Sequence, residues 1–364
     1  MKIAVIHEWL LNVAGSERVL LEIMKVFPEA VIYTSVFDQK KAAPFTKFDV
    51  RTSFLQKVPL AKSKREVLVP LTPLAFEQFD LSEYDLVLSN SHMAAKGVLT
   101  KPKTISISYC HTPPRYLWEP DVDPRAKSGR FAWLKNKIAH EMRIWDRVAA
   151  DRVDYFWGNS KYICKRIKKY YGRESEVLYP PVDIERFEIG PDKDIKEYFL
   201  FVSRLVLYKK CDLVIEAFNE LGLPLKIIGR GPEEKRLKKL AKSNIEFLGY
   251  VSDKEQSKFY GEAKAFIFPA EEDFGIVPVE AMACGRPVIA YGAAGAAETV
   301  ISGKTGVLFP EQTAISLVET IKNFNHRIYN TKEIRGWAEK FSGERFRAEL
   351  KDKVDKILKK EGKY

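Results

Sequence analysis

Two glutamates with seven residues between them, in Glu272-Asp-Phe-Gly-Ile-Val-Pro-Val-Glu280, are the side chains of this sequence best spaced to act together on one ligand. The apolar run Phe266-Ile-Phe268 predicts a buried strand and Val277 to Ala283 a helix. Glu272 then falls in the intervening turn and Glu280 about one turn into the helix. Both carboxylates stand beyond the carboxyl end of a strand, where open α/β sheets bind ligands. Such a pair suits either proton transfer or the gripping of hydroxyl groups, since an ionised carboxylate accepts hydrogen bonds in bidentate fashion.

Three other segments have the same character. Ser203-Arg204 and Lys209-Lys210 follow the strand Tyr198 to Val202 and precede a helix from Asp212. An arginine fork and a lysine point charge at that spacing can converge on a diphosphate, with solvated surface charge as the competing reading. Gly229-Arg-Gly231-Pro closes another strand, and its glycines serve either a close-lying ligand or a plain turn. Asn12-Val-Ala-Gly15-Ser16-Glu17-Arg18 opens a helix after the first strand, where backbone N–H groups can hold an anion, although glycine in such a turn is more often geometric.

These segments need a scaffold of strands ending on one side. Strand-like runs at Lys2 to Ile6, Asp85 to Leu88, Thr104 to Tyr109, Asp154 to Trp157 and Val177 to Tyr179 alternate with helical stretches such as Glu17 to Val26. A second series follows at Tyr198 to Val202, Leu225 to Ile228, Ile245 to Leu248, Ala265 to Phe268, Val288 to Ala290 and Val307 to Phe309. Alternation of this kind predicts an α/β protein with parallel sheets. At 364 residues the chain exceeds the roughly 250–300 at which a single core stops growing. Two doubly wound domains are expected, residues 1–185 and 186–342, with a polar Pro/Gly-bearing linker near 183–196. Helices are expected at Lys332 to Lys340 and over 343–364. The latter carries an apolar stripe, Phe346, Leu350, Val354 and Leu358, that must be buried. Packing it back on the first domain fits two Rossmann-like domains facing a cleft.

Composition limits the partners. A net charge of +11 suits nucleic acid, an anionic membrane or a phosphorylated substrate. No apolar run reaches the roughly 18 residues of a membrane span, and the amino-terminal segment has no signal-peptide pattern, so the expected location is cytoplasmic. Cys110, Cys164, Cys211 and Cys284 lie far apart, which argues against a disulfide framework or a structural metal. Lys161 to Arg173 is basic, with Ile163, Ile167 and Tyr170 or Tyr171 on one side, and reads equally as a membrane-surface helix or as a packed helix with a solvated face. Phe54 to Phe79, with Lys62, Lys64, Arg65 and the run Val67 to Leu71, is a second membrane candidate.

Taken in order, the Gly15 loop, Arg204-x4-Lys209, Gly-Arg-Gly-Pro, Phe247 to Val251, Glu272-x7-Glu280 and Gly285 to Ala290 resemble glycosyltransferase family 4, retaining enzymes of the GT-B fold. The resemblance spans essentially the whole chain. Ser108 to Glu119, Gly158-Asn-Ser160 and Tyr179 to Asp183 look like its mannosyltransferase branch. It implies that Glu280 holds the ribose of a nucleotide sugar. Glu272, with the backbone N–H groups of Phe274, Gly275 and Ile276, would grip the hexose. Arg204 and Lys209 would neutralise the leaving diphosphate, with the N–H of Val277 at the distal phosphate and Gly229 near the ligand. Gly249, Tyr250 and Val251 would meet the base. From the first domain, His111 would reach the sugar, Gly15 and Ser16 the diphosphate and acceptor, and Arg115 the acceptor.

Neither glutamate is then the nucleophile, and no metal or cofactor is required. The implied donor is GDP-mannose and the acceptor a lipid-linked glycan or polysaccharide, with possible peripheral contact to the inner face of the cell membrane. A UDP-sugar-dependent synthase acting on a small soluble sugar is the alternative, and a basic nucleic-acid-binding protein a remote one, because no base-reading module is visible. The chain departs from the family pattern where Ala14-Gly15 replaces a Gly-Gly pair and where Lys209-Lys210 replaces Lys-Gly.

Overall fold

The computed structural model describes residues 1–363 apart from Leu60, Lys64 and 121–131. Lys64 of the second membrane candidate and Tyr364 of the expected last helix therefore lie outside the described residues. The chain divides into two compact units, Met1–Pro181 with Phe346–Tyr364, and Val182–Arg345.

The first unit holds strands β1 (Ile3–His7), β2 (Val31–Thr34), β3 (Val50–Thr52), β4 (Leu86–Ser91), β5 (Ile105–Cys110), β6 (Tyr155–Gly158) and β7 (Glu176–Val177). They pair in parallel in the order β3-β2-β1-β4-β5-β6-β7. Every residue of β4 and β5 is buried, as expected of strands covered by helices on both faces. β2 and β3 are absent from the sequence reading: β2, Val-Ile-Tyr-Thr, is as apolar and buried as the strands that were read, while β3, Val-Arg-Thr, is nowhere buried and carries no apolar run. The helix Gly15–Val26 ends at Phe27-Pro28, where proline cannot continue it.

The long helix Gly343–Lys360 buries Phe346, Leu350, Val354, Ile357 and Leu358 in the same core as Val5, Ile107 and Tyr109. Full burial of such a side chain contributes about 1.5–3 kcal/mol, so this stripe is a structural part of the first unit. Ile357 extends the expected four-residue stripe.

The second unit holds β8 (Phe199–Val202), β9 (Leu225–Ile228), β10 (Ile245–Gly249), β11 (Phe266–Phe268), β12 (Val288–Tyr291) and β13 (Gly306–Phe309). Their order is β10-β9-β8-β11-β12-β13, again parallel throughout. In both sheets the order reverses once, between β1 and β4 and between β8 and β11, and that is where an α/β sheet opens a crevice at its carboxyl ends.

Two sequence expectations change here. Residues 183–196 are not a free linker, because they pack along the second unit. Val182 bridges Ser342, Gly190 N–H donates to Cys284 O at 3.1 Å, and Arg286, only 2% exposed, reaches the segment from below. Its guanidinium donates to Gly190 O (2.6 Å), Pro191 O (3.1 Å), Asp192 Oδ1 (2.9 Å) and Gly261 O (2.8 Å). The helix expected at 332–340 is Thr331–Ala338 followed by a 3-10 turn, Glu339–Phe341.

Arg286→Met should destabilise the second unit by about 3–5 kcal/mol, since it leaves the carbonyls of Gly190, Pro191 and Gly261 without their shared donor. Chemical unfolding followed by tryptophan fluorescence measures this; a loss under about 1 kcal/mol would mean the segment is held by other contacts.

Candidate functional site

In the second unit the expected side chains gather at the reversal point. Arg204 and Lys209 lie after β8 and Glu272 after β11, the two strands flanking the reversal. Lys209 Nζ pairs with Glu272 Oε1, both side chains being mostly shielded from water. Arg204 is exposed and has no ion-pair partner among the described residues. Lys210 is half-buried and takes φ 55°, left-handed backbone that glycine adopts without strain. This accounts for the glycine of the Lys-Gly pattern in the resemblance: the second position bears the left-handed turn, and Lys209 makes the ion pair with Glu272.

The loop is held from below by glycine geometry. A Cβ on Gly229 would lie 1.8 Å from Ser203 O and one on Gly231 2.1 Å from Leu205 O. Both glycines therefore admit the neighbouring loop that carries Arg204, and this backbone approach is what requires glycine at the two positions. Gly229 N–H also donates to Gly249 O at 2.7 Å, joining the ends of β9 and β10. Tyr250, just beyond, is 76% exposed.

Gly275, at φ 86°, caps the helix Ile276–Ala283. The first N–H groups of such a helix have no intrahelical partner, so those of Ile276 and Val277 are available to an anion or hydroxyl. Phe274 is buried edge-on to Phe341 and packed on Gly295, where a Cβ would meet its Cα at 2.3 Å. Gly295 N–H donates to Glu272 O at 2.9 Å and fixes the turn. Glu280, 8% exposed, accepts from Tyr260 OH (3.3 Å) and Gln256 Nε2 (3.4 Å), with Tyr260 raised well above its ordinary pKa by burial and by this carboxylate.

The first unit assembles a polar chain that the sequence reading missed. Gly15 and Ser16 form the first turn of their helix, as expected, but the next residue, Glu17, is buried. Its carboxylate accepts from Ala14 N–H at 3.0 Å and from His7 Nε2 at 3.4 Å. Burial pushes the Glu17 carboxyl up; the His7 hydrogen bond and charge, with the Ala14 N–H, outweigh it and hold the group down at about 2.

His7 Nδ1 rests on Asn90, 3.1 Å from the amide nitrogen and 3.2 Å from the carbonyl. Asn90 Nδ2 donates to Ser16 O at 2.9 Å, and Asn90 Oδ1 lies 2.7 Å from His111 Nε2. His111 follows β5, stands edge-on to Tyr109, and is lowered to about 3 by burial, then by His92 and His7, against an opposing pull from Glu17. Glu8 is fully buried and accepts from Ser91 Oγ and from the backbone N–H groups of His92, Met93, Ala94 and Ala95, which ties down the loop after β4. The signal for this chain was present: His7, Glu8 and Glu17 are polar residues at the carboxyl end of a buried strand and in the first turn of the helix that follows.

Arg115 opens a four-residue helix ending at Trp118. The basic helix Lys161–Tyr171 does not present an apolar stripe outward: Ile163, Ile167 and Tyr171 are fully buried in a core with Val153 and Phe156. Arg166 on it is buried as well, paired with Glu119 at 3.0 Å and donating to Thr112 Oγ1 at 2.7 Å. Ser160 of Gly158-Asn-Ser160 caps this helix, accepting from Ile163 N–H at 3.1 Å. The packed-helix reading of 161–173 is therefore the correct one. In the second membrane candidate, by contrast, Val67, Leu71 and Leu74 are exposed, as are Trp133, Ile144 and Val148 along the helix Ala132–Asp151. Among the described residues no helix is long and apolar enough to cross a membrane.

Residues 182–330 match the family model described as glycosyl transferases group 1. An uncharacterized glycosyltransferase of Methanocaldococcus jannaschii, MJ1178, is 31% identical over 207 residues, 56% of this chain and 56% of that protein. A GDP-mannose-dependent alpha-(1-6)-phosphatidylinositol monomannoside mannosyltransferase of Mycolicibacterium smegmatis is 32% identical over 179 residues, 41% of this chain and 47% of that one. The chain thus spans about half the length of these relatives. Among solved structures, a sucrose-phosphate synthase from Thermosynechococcus elongatus superposes with a TM-score of 0.77 at 15% identity, covering 98% of this chain and 99% of that one. At that identity the likeness establishes the fold, two doubly wound α/β sheets of the GT-B type.

The depressed Glu17 carboxyl has a measurable consequence. A group held at about 2 against an ordinary 4.5 contributes stability that is fully present above pH 4.5 and lost as the pH falls towards 2, on the order of 3 kcal/mol. Glu17→Gln should remove that slope from the pH dependence of unfolding; an unchanged difference between pH 5 and pH 2.5 would contradict the pairing with His7.

Proposed function

We propose that this chain, whose residues 182–330 match the group 1 glycosyl transferases, is a retaining hexosyltransferase moving mannose from GDP-mannose to a lipid-linked or polysaccharide acceptor. The observation that carries this reading is the Lys209–Glu272 ion pair across the sheet reversal of the second unit, with Arg204 in the same turn as Lys209, inside the residues that match the family. The mannosyltransferase named above supports the donor and a lipid-borne acceptor.

On this reading Glu280, already oriented by the Tyr260 hydroxyl and the Gln256 amide, accepts the ribose hydroxyls. Exposed Tyr250, with Gly249 and Val251, meets the base. The N–H groups of Phe274, Gly275, Ile276 and Val277 face the hexose and the distal phosphate. Arg204 and Lys209 stabilise the negative charge that grows on the diphosphate, an effect strongest in a preorganised and water-poor site. Glu272 holds Lys209 before the donor arrives and takes hexose hydroxyls afterwards. In the first unit, His111 serves a sugar hydroxyl, and Gly15, Ser16 and Arg115 serve the acceptor side.

The acceptor oxygen bonds to the anomeric carbon on the face that the diphosphate leaves. The bond from that carbon to phosphate oxygen breaks, and the acceptor's proton passes to the departing phosphate. No nucleophilic carboxylate about 5 Å from an acid is then needed. Exposed Val67, Leu71, Leu74, Trp133, Ile144 and Val148, beside Lys135 and Lys137, would seat the first unit on an anionic membrane at the cytoplasmic face.

GDP at about 100 times its dissociation constant should stabilise the protein by about 2.7 kcal/mol, visible as a melting shift larger than that from UDP. A preference for UDP would replace the donor. Glu272→Gln and Arg204→Ala should each lower turnover by about 10²–10³; normal turnover in Glu272→Gln with only altered nucleotide affinity would remove its role. Sedimentation with phosphatidylserine vesicles at low salt should fall on Leu74→Asp and Trp133→Asp; a chain that ignores such vesicles has no lipid surface there.

A further inference from the structure

The amide of Asn90 sits between two histidines, and its orientation is decided by neither of them. One end faces Ser16 O at 2.9 Å, and a backbone carbonyl can only accept, so that end must be the nitrogen. The other end, Oδ1, then faces His111 Nε2 at 2.7 Å, and a carbonyl oxygen that close requires Nε2 to carry a proton. His111 is held neutral, at about 3, mainly by burial. A neutral imidazole protonated at Nε2 has a lone pair at Nδ1, for which no partner exists among the described residues.

We infer that Asn90 is a positioning residue: clamped by the Ser16 carbonyl, it holds His111 as the Nε2–H tautomer and so makes Nδ1 a hydrogen-bond acceptor for a substrate hydroxyl. The inference rests on the assignment of His111 to a sugar hydroxyl made above. It refines that role, because His111 then takes a hydrogen bond from the hydroxyl and neither donates one nor supplies positive charge. Ser16 gains a second function through its carbonyl, tying the first turn of the helix Gly15–Val26 to the histidine at the end of β5. His7 and Glu17 back the arrangement, with His7 Nδ1 against the Asn90 amide and Nε2 against the Glu17 carboxylate. The orientation of Asn90 does not depend on His7, because Ser16 O sets it. Leucine at position 90 has the same branching and number of side-chain heavy atoms and no acceptor, so it releases the tautomer without opening a cavity.

The test is a ¹⁵N–¹H correlation spectrum of the histidine rings in the full chain, with His111 assigned by its absence in His111→Ala. The wild type should show a protonated Nε2 and a bare Nδ1 for His111; the reverse pattern overturns the inference without any variant. Asn90→Leu should shift the signal towards the mixed tautomers of a free imidazole and lower kcat about tenfold or more, with the donor KM little changed. In a His111→Ala background the same substitution should cost nothing further in kcat. A His111 signal that stays wholly Nε2–H in Asn90→Leu, or an equal kcat loss in both backgrounds, overturns the inference. Normal turnover in His111→Ala instead sinks the role given to His111 itself, whichever tautomer the spectrum shows.

Discussion

A parallel sheet covered by helices on both faces can offer a ligand only the ends of its strands. Both units obey this constraint: β4 and β5 are buried along their whole length, and β8 and β11 likewise. Polar chemistry is thereby confined to the turns that follow the strands. Where the strand order reverses, successive turns run to opposite sides and leave a gap between them. In the second unit the Lys209–Glu272 ion pair spans that gap, joining the turn after β8 to the turn after β11.

The turns themselves are held by buried polar groups whose partners come from distant parts of the chain. An unsatisfied buried donor or acceptor costs about 1–3 kcal/mol, so each such group enforces the position of whatever satisfies it. Glu8 gathers four successive backbone N–H groups after β4, and Arg286 gathers the carbonyls of Gly190, Pro191 and Gly261. Glycine works in the opposite sense: at Gly229 and Gly231 the missing side chain lets the Arg204 loop come close. Lys210 keeps a left-handed turn without glycine, at a cost of about 1–2 kcal/mol that the surrounding loop must offset.

Most strands were legible because they are short apolar runs separated by helical stretches. Of the strands overlooked, β2 carries the same apolar run as the others, whereas β3 lies at the sheet edge, where burial is partial and the run is broken by Arg51. Amphipathicity proved ambiguous for 161–173: the period of Ile163, Ile167 and Tyr171 is the same whether the face meets a core or a membrane, and the core took it. The apolar residues left outside, such as Trp133 and Ile144, carry no such signature, since an exposed side chain in a long helix reads like a buried one.

Residue type and spacing alone settled the α/β class, the stripe of the last helix and the identity of the charged groups at the reversal of the second sheet. Those features are local, within one turn or one strand, so neighbouring residues encode them. Only the tertiary structure decided that Lys209 meets Glu272 across 63 residues, that Asn90 stands between His7 and His111, and that residues 183–196 pack on Arg286. Each depends on which strands lie side by side in a parallel sheet, and chain order does not reveal that. The hydrogen-bond direction that fixes the His111 tautomer is set by a carbonyl from another element, and no motif could have carried it.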